Sequence, residues 1–290
     1  MIGYVWDKVA NILYGEAFGR ERQYKKVYRY LDKYCGQALL KESGEMINRR
    51  VRANKTIWIA WLQGMEYAPK VVKCCFQSVQ NNKPADFDLV CITAENIKEY
   101  IKLPDFVEEK YERGIITRTH LSDIIRTELL YAYGGCWIDA TVYCSGSVPD
   151  YMLNSRIFAF RWSLMDYCTL MISSWWLCAQ KGENIIREIR SLLYCYWEHE
   201  QDIKNYFLYH IIFSKVVNQN DLNREVFNRI PYFNNSMPHV LYWNLSTEFN
   251  ETQWDIIKHN SPVHKLSYRD KYLQGDVYNF YMALLEGKLV

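Results

Sequence analysis

Apolar residues follow one rhythm in the first fifty-odd positions and another afterwards. Ile2, Val5, Trp6, Val9 and Ile12/Leu13 repeat at helical spacing, as do Tyr24, Val27, Tyr28 and Leu31. That period predicts amphipathic helices over the N-terminal stretch. From Lys55 onward, short apolar runs alternate with helical patterns. Thr56–Trp61 reads as a strand, followed by a loop at Gln63-Gly64 and a helix that Pro69 opens and that aligns Val71, Val72, Cys75, Phe76 and Val79. Phe87–Thr93 is a second strand. Helical signals follow at Glu95–Ile101 and Pro104–Glu112, then a longer helix from about Thr119 to Tyr133, stopped by Gly134-Gly135. Cys136–Asp139 is a third strand. Strands and helices in this alternation predict a parallel, Rossmann-like sheet in an α/β domain.

The second half is less regular. Ile157–Trp162 and Leu170–Ala179 read as strands, Asn184–Glu200 as an amphipathic helix and Ile203–Val217 as an apolar one. The last 70 or so residues are rich in loops, punctuated by Pro231, Pro238 and Pro262. Two units result: a helical arm over 1–54 and an α/β domain over 55–290.

Charge adds one feature to this pattern. The net charge is only +2, which gives no reason to propose a nucleic-acid partner. Residues 1–55 nevertheless carry 12 Lys/Arg against 6 Asp/Glu. The arm therefore has two open readings: a helical pair packed on the domain with a solvated basic face, or a basic, aromatic surface for an anionic membrane. Its start lacks the basic-then-apolar order of a signal peptide, and the longest uncharged apolar run, Tyr167 to Gln180, is too short to span a bilayer. Nine cysteines without a CxxC pair, most among apolar neighbours, predict free thiols and a cytoplasmic location. Aromatic residues reach 16 %, a composition suited to stacking flat ligands.

Ligands of an open parallel sheet bind beyond the carboxyl ends of its strands, and three polar features fall there. Trp61-Leu62-Gln63-Gly64 follows the first strand. Thr119, Asp123 and Arg126, spaced i, i+4, i+7, share one helix stripe. Asp139 closes an apolar strand just after Gly134-Gly135. Singly, each has a plain alternative: Asp123–Arg126 as a surface ion pair, Asp139 as a turn residue. Their convergence within twenty residues around one strand end favours a site. Tyr206 and His210, one helical turn apart, are open as acceptor contacts or core, and so is the Trp175-Trp176 pair as a sugar platform or core.

The segment Thr119-His120-Leu121-Ser122-Asp123-Ile124-Ile125-Arg126, with Tyr133-Gly134-Gly135-Cys136-Trp137-Ile138-Asp139-Ala140-Thr141 after it, resembles the S-D-x-x-R…Y-G-G-x-[YW]-x-D-x-D signature. That signature marks DXD-type glycosyltransferases of the sugar-binding-region kind. Ile57 to about Pro149, opening on I-W-x-x-W-x-Q-G-x-x-x-A-P, is similar to bacterial capsular polysaccharide synthesis glycosyltransferases, and Ser261-Pro262-Val263-His264-Lys265-Leu266 resembles their late H-K-L motif.

The resemblance implies a GT-A fold, a UDP-sugar donor, a divalent cation (Mn²⁺ or Mg²⁺) and a retaining transfer of a hexose. The implied acceptor is a lipid-linked oligosaccharide in capsular or cell-surface polysaccharide synthesis, with the enzyme at the inner face of the plasma membrane. By position, Asp123 contacts the donor, Arg126 braces the site or binds the sugar-phosphate, and Trp61 and Gln63 hold the base. Asp139 is the first acid of the DXD element, His264 completes the metal or diphosphate shell and Lys265 offsets phosphate charge. One departure stands out: the second acid is replaced by Thr141, a weak ligand for a hard cation. The cation is then expected on the donor diphosphate, Asp139 and His264, with Thr141 beside them. The missing acid also keeps open a protein that binds nucleotide sugars or glycans without turnover, and the basic arm keeps open a peripheral membrane scaffold.

Overall fold

In a computed structural model, the described residues are 16–36, 48, 50–162, 169–269 and 277–289. The predicted helix over Ile2–Leu13, with Trp6 and Tyr14, lies outside them. Helix α1 (Glu16–Cys35) leads, then strand β1 (Thr56–Ala60), helix α2 (Lys70–Asn82), strand β2 (Asp88–Ile92) and helices α3 (Asp105–Glu112) and α4 (Arg118–Tyr133). Strands β3 (Gly135–Ile138) and β4 (Val142–Cys144), the short helix α5 (Tyr151–Asn154) and strands β5 (Ile157–Arg161) and β6 (Ile172–Ala179) follow. Helices α6 (Asn184–His199), α7 (Leu208–Gln219), α8 (Asp221–Asn228), α9 (Val240–Asn244) and α10 (Glu251–Asn260), strand β7 (Val263–Lys265) and helix α11 (Phe280–Leu285) complete the order.

The central sheet runs β2-β1-β3-β6-β5. β1 pairs in parallel with β2 and with β3, bringing Ile57 opposite Cys136 and Trp58 opposite Trp137. The other two pairings, β3–β6 and β5–β6, are antiparallel. The parallel expectation thus holds for the three strands of the first half, and β6 enters against their direction. β3 is buried along its whole length, as is β6, and both are largely apolar, with only Ser173-Ser174 interrupting β6. A separate two-stranded ribbon pairs β4 with β7, setting Val142 opposite Lys265 and Tyr143 opposite His264.

Helices flank the sheet: α4 packs on β1, β3 and α6; α7 packs on α6 and β6; α2 packs on β4 and α11. α1 lies against α6 and α7, burying Tyr24, Val27, Leu31 and Cys35 and exposing Lys25, Lys26 and Arg29. Tyr24 meets the Phe207 ring edge-on at 5.7 Å and Tyr28 lies under the Lys215 ammonium. Of the described aromatic residues on this helix, only Tyr34 is largely exposed. Among the described residues, eight cysteines are free thiols, six of them buried, and no helix is long and apolar enough to cross a membrane.

Several boundaries moved. Glu95–Ile101 forms only a 3-10 turn at Ile97–Glu99, and the helix expected from Ile203 starts at Leu208. The loop-rich end contains α10 and α11, capped by Asn250 and Asn279, whose side chains accept from Gln253 N–H and Met282 N–H. Trp175 and Trp176 are core: Trp175 stacks on Phe160 at 4.6 Å, and both are buried.

Gly134-Gly135 joins α4 to β3 through two positive φ angles, 70° and 97°. A Cβ at Gly135 would sit 2.1 Å from the Thr56 carbonyl oxygen of β1. The tight turn therefore lets β3 approach β1, and it fixes how far Asp139 projects beyond the sheet. Gly135→Ala is expected to cost at least about 2 kcal/mol in urea unfolding; a change within about 0.5 kcal/mol, the range of neutral surface substitutions, would contradict this role.

Candidate functional site

Because β1 and β3 run in parallel, their carboxyl ends open on the same edge of the sheet. A cavity of about 390 Å³ lies there, lined by Trp61 after β1, Asp139 and Thr141 after β3, Thr119 and Ser122 of α4, Tyr206, and the run Lys265 to Arg269. Its size falls within the usual span for small-molecule sites, about 300–1,000 Å³.

Asp139 is fixed from four directions. Its backbone N–H donates to the Trp175 carbonyl of β6 at 2.9 Å. Oδ1 accepts from Trp137 Nε1 at 2.9 Å and from Arg126 Nη2 at 3.3 Å. Oδ2 faces Lys265 Nζ at 3.7 Å. Trp137 and Asp139 are two residues apart on an extended segment, so their side chains share a face. That spacing was present in the sequence, and Trp137 was nevertheless missed as a site residue.

Arg126 lies behind this carboxylate. Its side chain is only 3 % exposed, and Nη1 donates to Asp123 Oδ1 at 2.9 Å. The guanidinium sits 5.0 Å from the Trp137 ring and 5.0 Å from the Tyr209 ring. The surface-pair alternative for Asp123–Arg126 is thereby removed. Neither residue lines the cavity. Both stand one layer behind Asp139, which Arg126 contacts directly. Tyr209 carried no site signal in the sequence, where it reads as an apolar helix residue.

The two carboxyls differ in charge state. Burial pushes Asp123 up to about 7, against the pull of Arg126 and with the added push of Asp139. Burial also acts on Asp139, but Lys265 and then Arg126, with the Trp137 N–H, hold it below the usual carboxylate range. Neighbouring acids in unlike surroundings separate in this way. Asp139 is the member that is fully ionised at neutral pH, and with Lys265 and Arg126 beside it the inner wall leans positive.

Lys265 reaches the site through the β4–β7 ribbon. Its Nζ donates to Thr141 Oγ1 at 2.6 Å and to the Leu266 carbonyl at 3.1 Å, while Leu266 N–H closes onto the Thr141 carbonyl at 2.8 Å. Its neighbour His264 points the other way, as alternation along a strand requires. His264 is fully buried between Tyr143 and Trp254, with Nε2 2.8 Å from Ser145 Oγ, and burial pushes its pKa down to about 3. The structure does not bring it to the cavity. Gln63 is exposed and outside the lining as well. The structure therefore joins Trp61, Asp123, Arg126, Asp139, Thr141 and Lys265, and leaves out His264 and Gln63.

At the mouth, Trp61 meets Tyr268 edge-on at 5.2 Å, with Arg269 next along the chain. Tyr206 adds a third, largely exposed ring. His210, one turn on, does not line the cavity; burial and Arg126 push it down to about 3. Tyr268 and Arg269 lie just beyond the recognised H-K-L segment, separated from it by Ser267, and that nearness was their only signal.

A guanidinium clamped between two rings and two acids predicts a large loss when it is removed. Arg126→Ala is expected to cost at least about 3 kcal/mol in urea unfolding, as for other broken buried pairs. A loss below about 1 kcal/mol, the range of exposed pairs, would contradict the clamp.

Comparisons with known proteins bear on this site. Residues 11–284 match the family described as capsular polysaccharide synthesis protein. The O-glycosyltransferase PaGT of Phomopsis amygdali is 29% identical over 91 residues, 29% of this chain; the chain spans only 22% of that protein's length. Among solved structures, the PaToxG glycosyltransferase aligns at a TM-score of 0.42 and 15% identity, covering 78% of this chain and 83% of that one. The family match runs from before α1 to α11 and takes in every residue of the cavity, so the chain belongs to the capsular polysaccharide synthesis protein family.

Proposed function

We propose that the protein is a retaining glycosyltransferase of GT-A arrangement that moves a hexose from a UDP-sugar to a lipid-linked oligosaccharide. The observation that carries this reading is the pairing of Asp139 with Lys265 at the inner end of a cavity whose mouth is edged by Trp61 and Tyr268. Flat rings suit a uracil base, an ammonium suits a diphosphate, and a fixed carboxylate suits the sugar beyond the diphosphate.

In this reading Trp61 and Tyr268 hold the base, and Lys265 and Arg269 face the phosphates. As the bond from the anomeric carbon to the β-phosphate oxygen breaks, its electron pair goes to that oxygen and the carbon becomes oxocarbenium-like. The acceptor hydroxyl forms the new bond from the same face, and its proton passes to the departing phosphate oxygen. Asp139, fixed before the reaction begins, offsets the positive charge at the anomeric carbon. Among the described residues lining the cavity, Asp139 is the only carboxylate, and its oxygens are engaged by Trp137, Arg126 and Lys265. That engagement supports front-face attack over a covalent intermediate on a side chain.

The hydroxyl at Thr141 in place of an acid favours a second reading, a protein that binds nucleotide sugars without turnover. UDP release from a panel of UDP-hexoses separates the two. Asp139→Asn keeps an acceptor for the Trp137 N–H and removes the charge, so UDP release should fall at least about 100-fold, as when a preorganised transition-state contact is lost. Thermal unfolding should show a folded protein. Release at the wild-type rate would contradict the proposal.

A further inference from the structure

Asp139, Thr141 and His264 were the residues expected to hold a divalent cation, and their arrangement does not fit one. His264 is enclosed on the far side of β7. The Thr141 hydroxyl accepts from the Lys265 ammonium. Asp139 Oδ1 is matched by Trp137 and Arg126, and Oδ2 faces Lys265. Among the described residues, no three His, Cys, Asp or Glu side chains gather in a way that would hold a metal. Mg²⁺ and Mn²⁺ seek oxygen ligands bearing charge. Here Asp139, the carboxylate among the described lining residues, already has two cationic neighbours, and these would repel a third.

The same geometry offers a substitute. Two protons of the Lys265 ammonium are held by Thr141 Oγ1 and the Leu266 carbonyl, at 2.6 and 3.1 Å. The third is left for Asp139 or for a ligand in the cavity, and Arg269 stands at the mouth. We propose that Lys265, seated on Thr141, is the built-in counter-charge for the departing diphosphate, so that transfer needs no divalent cation. This rests on the donor assignment made above. When the bond to the anomeric carbon breaks, the electron pair stays on the β-phosphate oxygen. Lys265 donates a hydrogen bond to that oxygen and keeps its own proton, while the acceptor's proton ends on the phosphate. The position of Thr141 then has a physical reason. Asp139 already faces the ammonium at 3.7 Å, and an aspartate at 141 would add a second carboxylate and cancel its charge, whereas a hydroxyl seats it without adding negative charge.

The test uses the whole protein stripped with EDTA, with and without added Mn²⁺. UDP binding is followed by calorimetry and UDP release on the panel of UDP-hexoses. Wild type is expected to bind UDP and to turn over within about twofold in both media. Lys265→Met should weaken UDP binding at least tenfold and slow release at least a hundredfold in both. Lys265→Arg should recover part of the loss, and Thr141→Val should fall between, with thermal unfolding confirming that each is folded. UDP binding or release that vanishes in EDTA and returns with Mn²⁺ overturns the inference while leaving the donor assignment intact. Wild-type UDP affinity in Lys265→Met overturns it too. If Lys265→Met does not fold, the EDTA comparison on wild type decides alone. Failure to bind UDP in either medium defeats the donor assignment, and the inference with it.

Discussion

A guanidinium that has left water needs partners for its charge and cover for its faces, and Arg126 shows how much structure that demands, even with its Nε–H left without an acceptor among the described residues. Asp123, one helical turn back, and Asp139, beyond the end of β3, take its two terminal nitrogens, while Trp137 and Tyr209 cover its faces. These partners come from α4, β3 and its end, and α7. Desolvation makes each of them hard to remove alone, since the others would be left charged or uncovered in a buried place. The clamp thus ties the long helix, the central strand and a helix of the second half to one atomic position, the carboxylate of Asp139.

A second buried group repeats the device further along α4. Glu128 accepts from Arg190 and from the Tyr194 hydroxyl, both on α6, and all three are buried. Burial pushes the Glu128 carboxyl up, against Arg190 and the Tyr194 hydrogen bond. This network stands away from the cavity and pins α4 to α6. Two polar anchors on one helix fix its rotation and its height above the sheet, which apolar packing alone specifies less sharply. The cavity-lining Thr119 and Ser122 therefore rest on a helix that two polar anchors hold along its middle.

Much of this was legible in the sequence where local pattern and topology agree. The apolar runs at β1, β2 and β3, the proline before α2 and the glycine pair after α4 each set a boundary by themselves. The stripe of Asp123 and Arg126 and the charge closing β3 pointed to one sheet edge. The approach of β6 against β3 was not legible, since a buried strand carries no mark of its direction. Nor was the outward turn of His264: its motif places it beside Lys265, but alternation along β7 sends the two to opposite sides. Tyr209 and Trp137 were hidden for a related reason, because an aromatic residue beside a buried cation reads as ordinary core.

Where the nucleotide sits is the point on which the account turns. A crystal structure of the protein soaked with UDP in EDTA tests it most directly. The account predicts uracil against Trp61 and Tyr268 and a phosphate oxygen within hydrogen-bond distance of Lys265 Nζ, with Arg126 still clamped behind Asp139. UDP bound elsewhere, or phosphates approached by His264 after β7 has turned over, would contradict it.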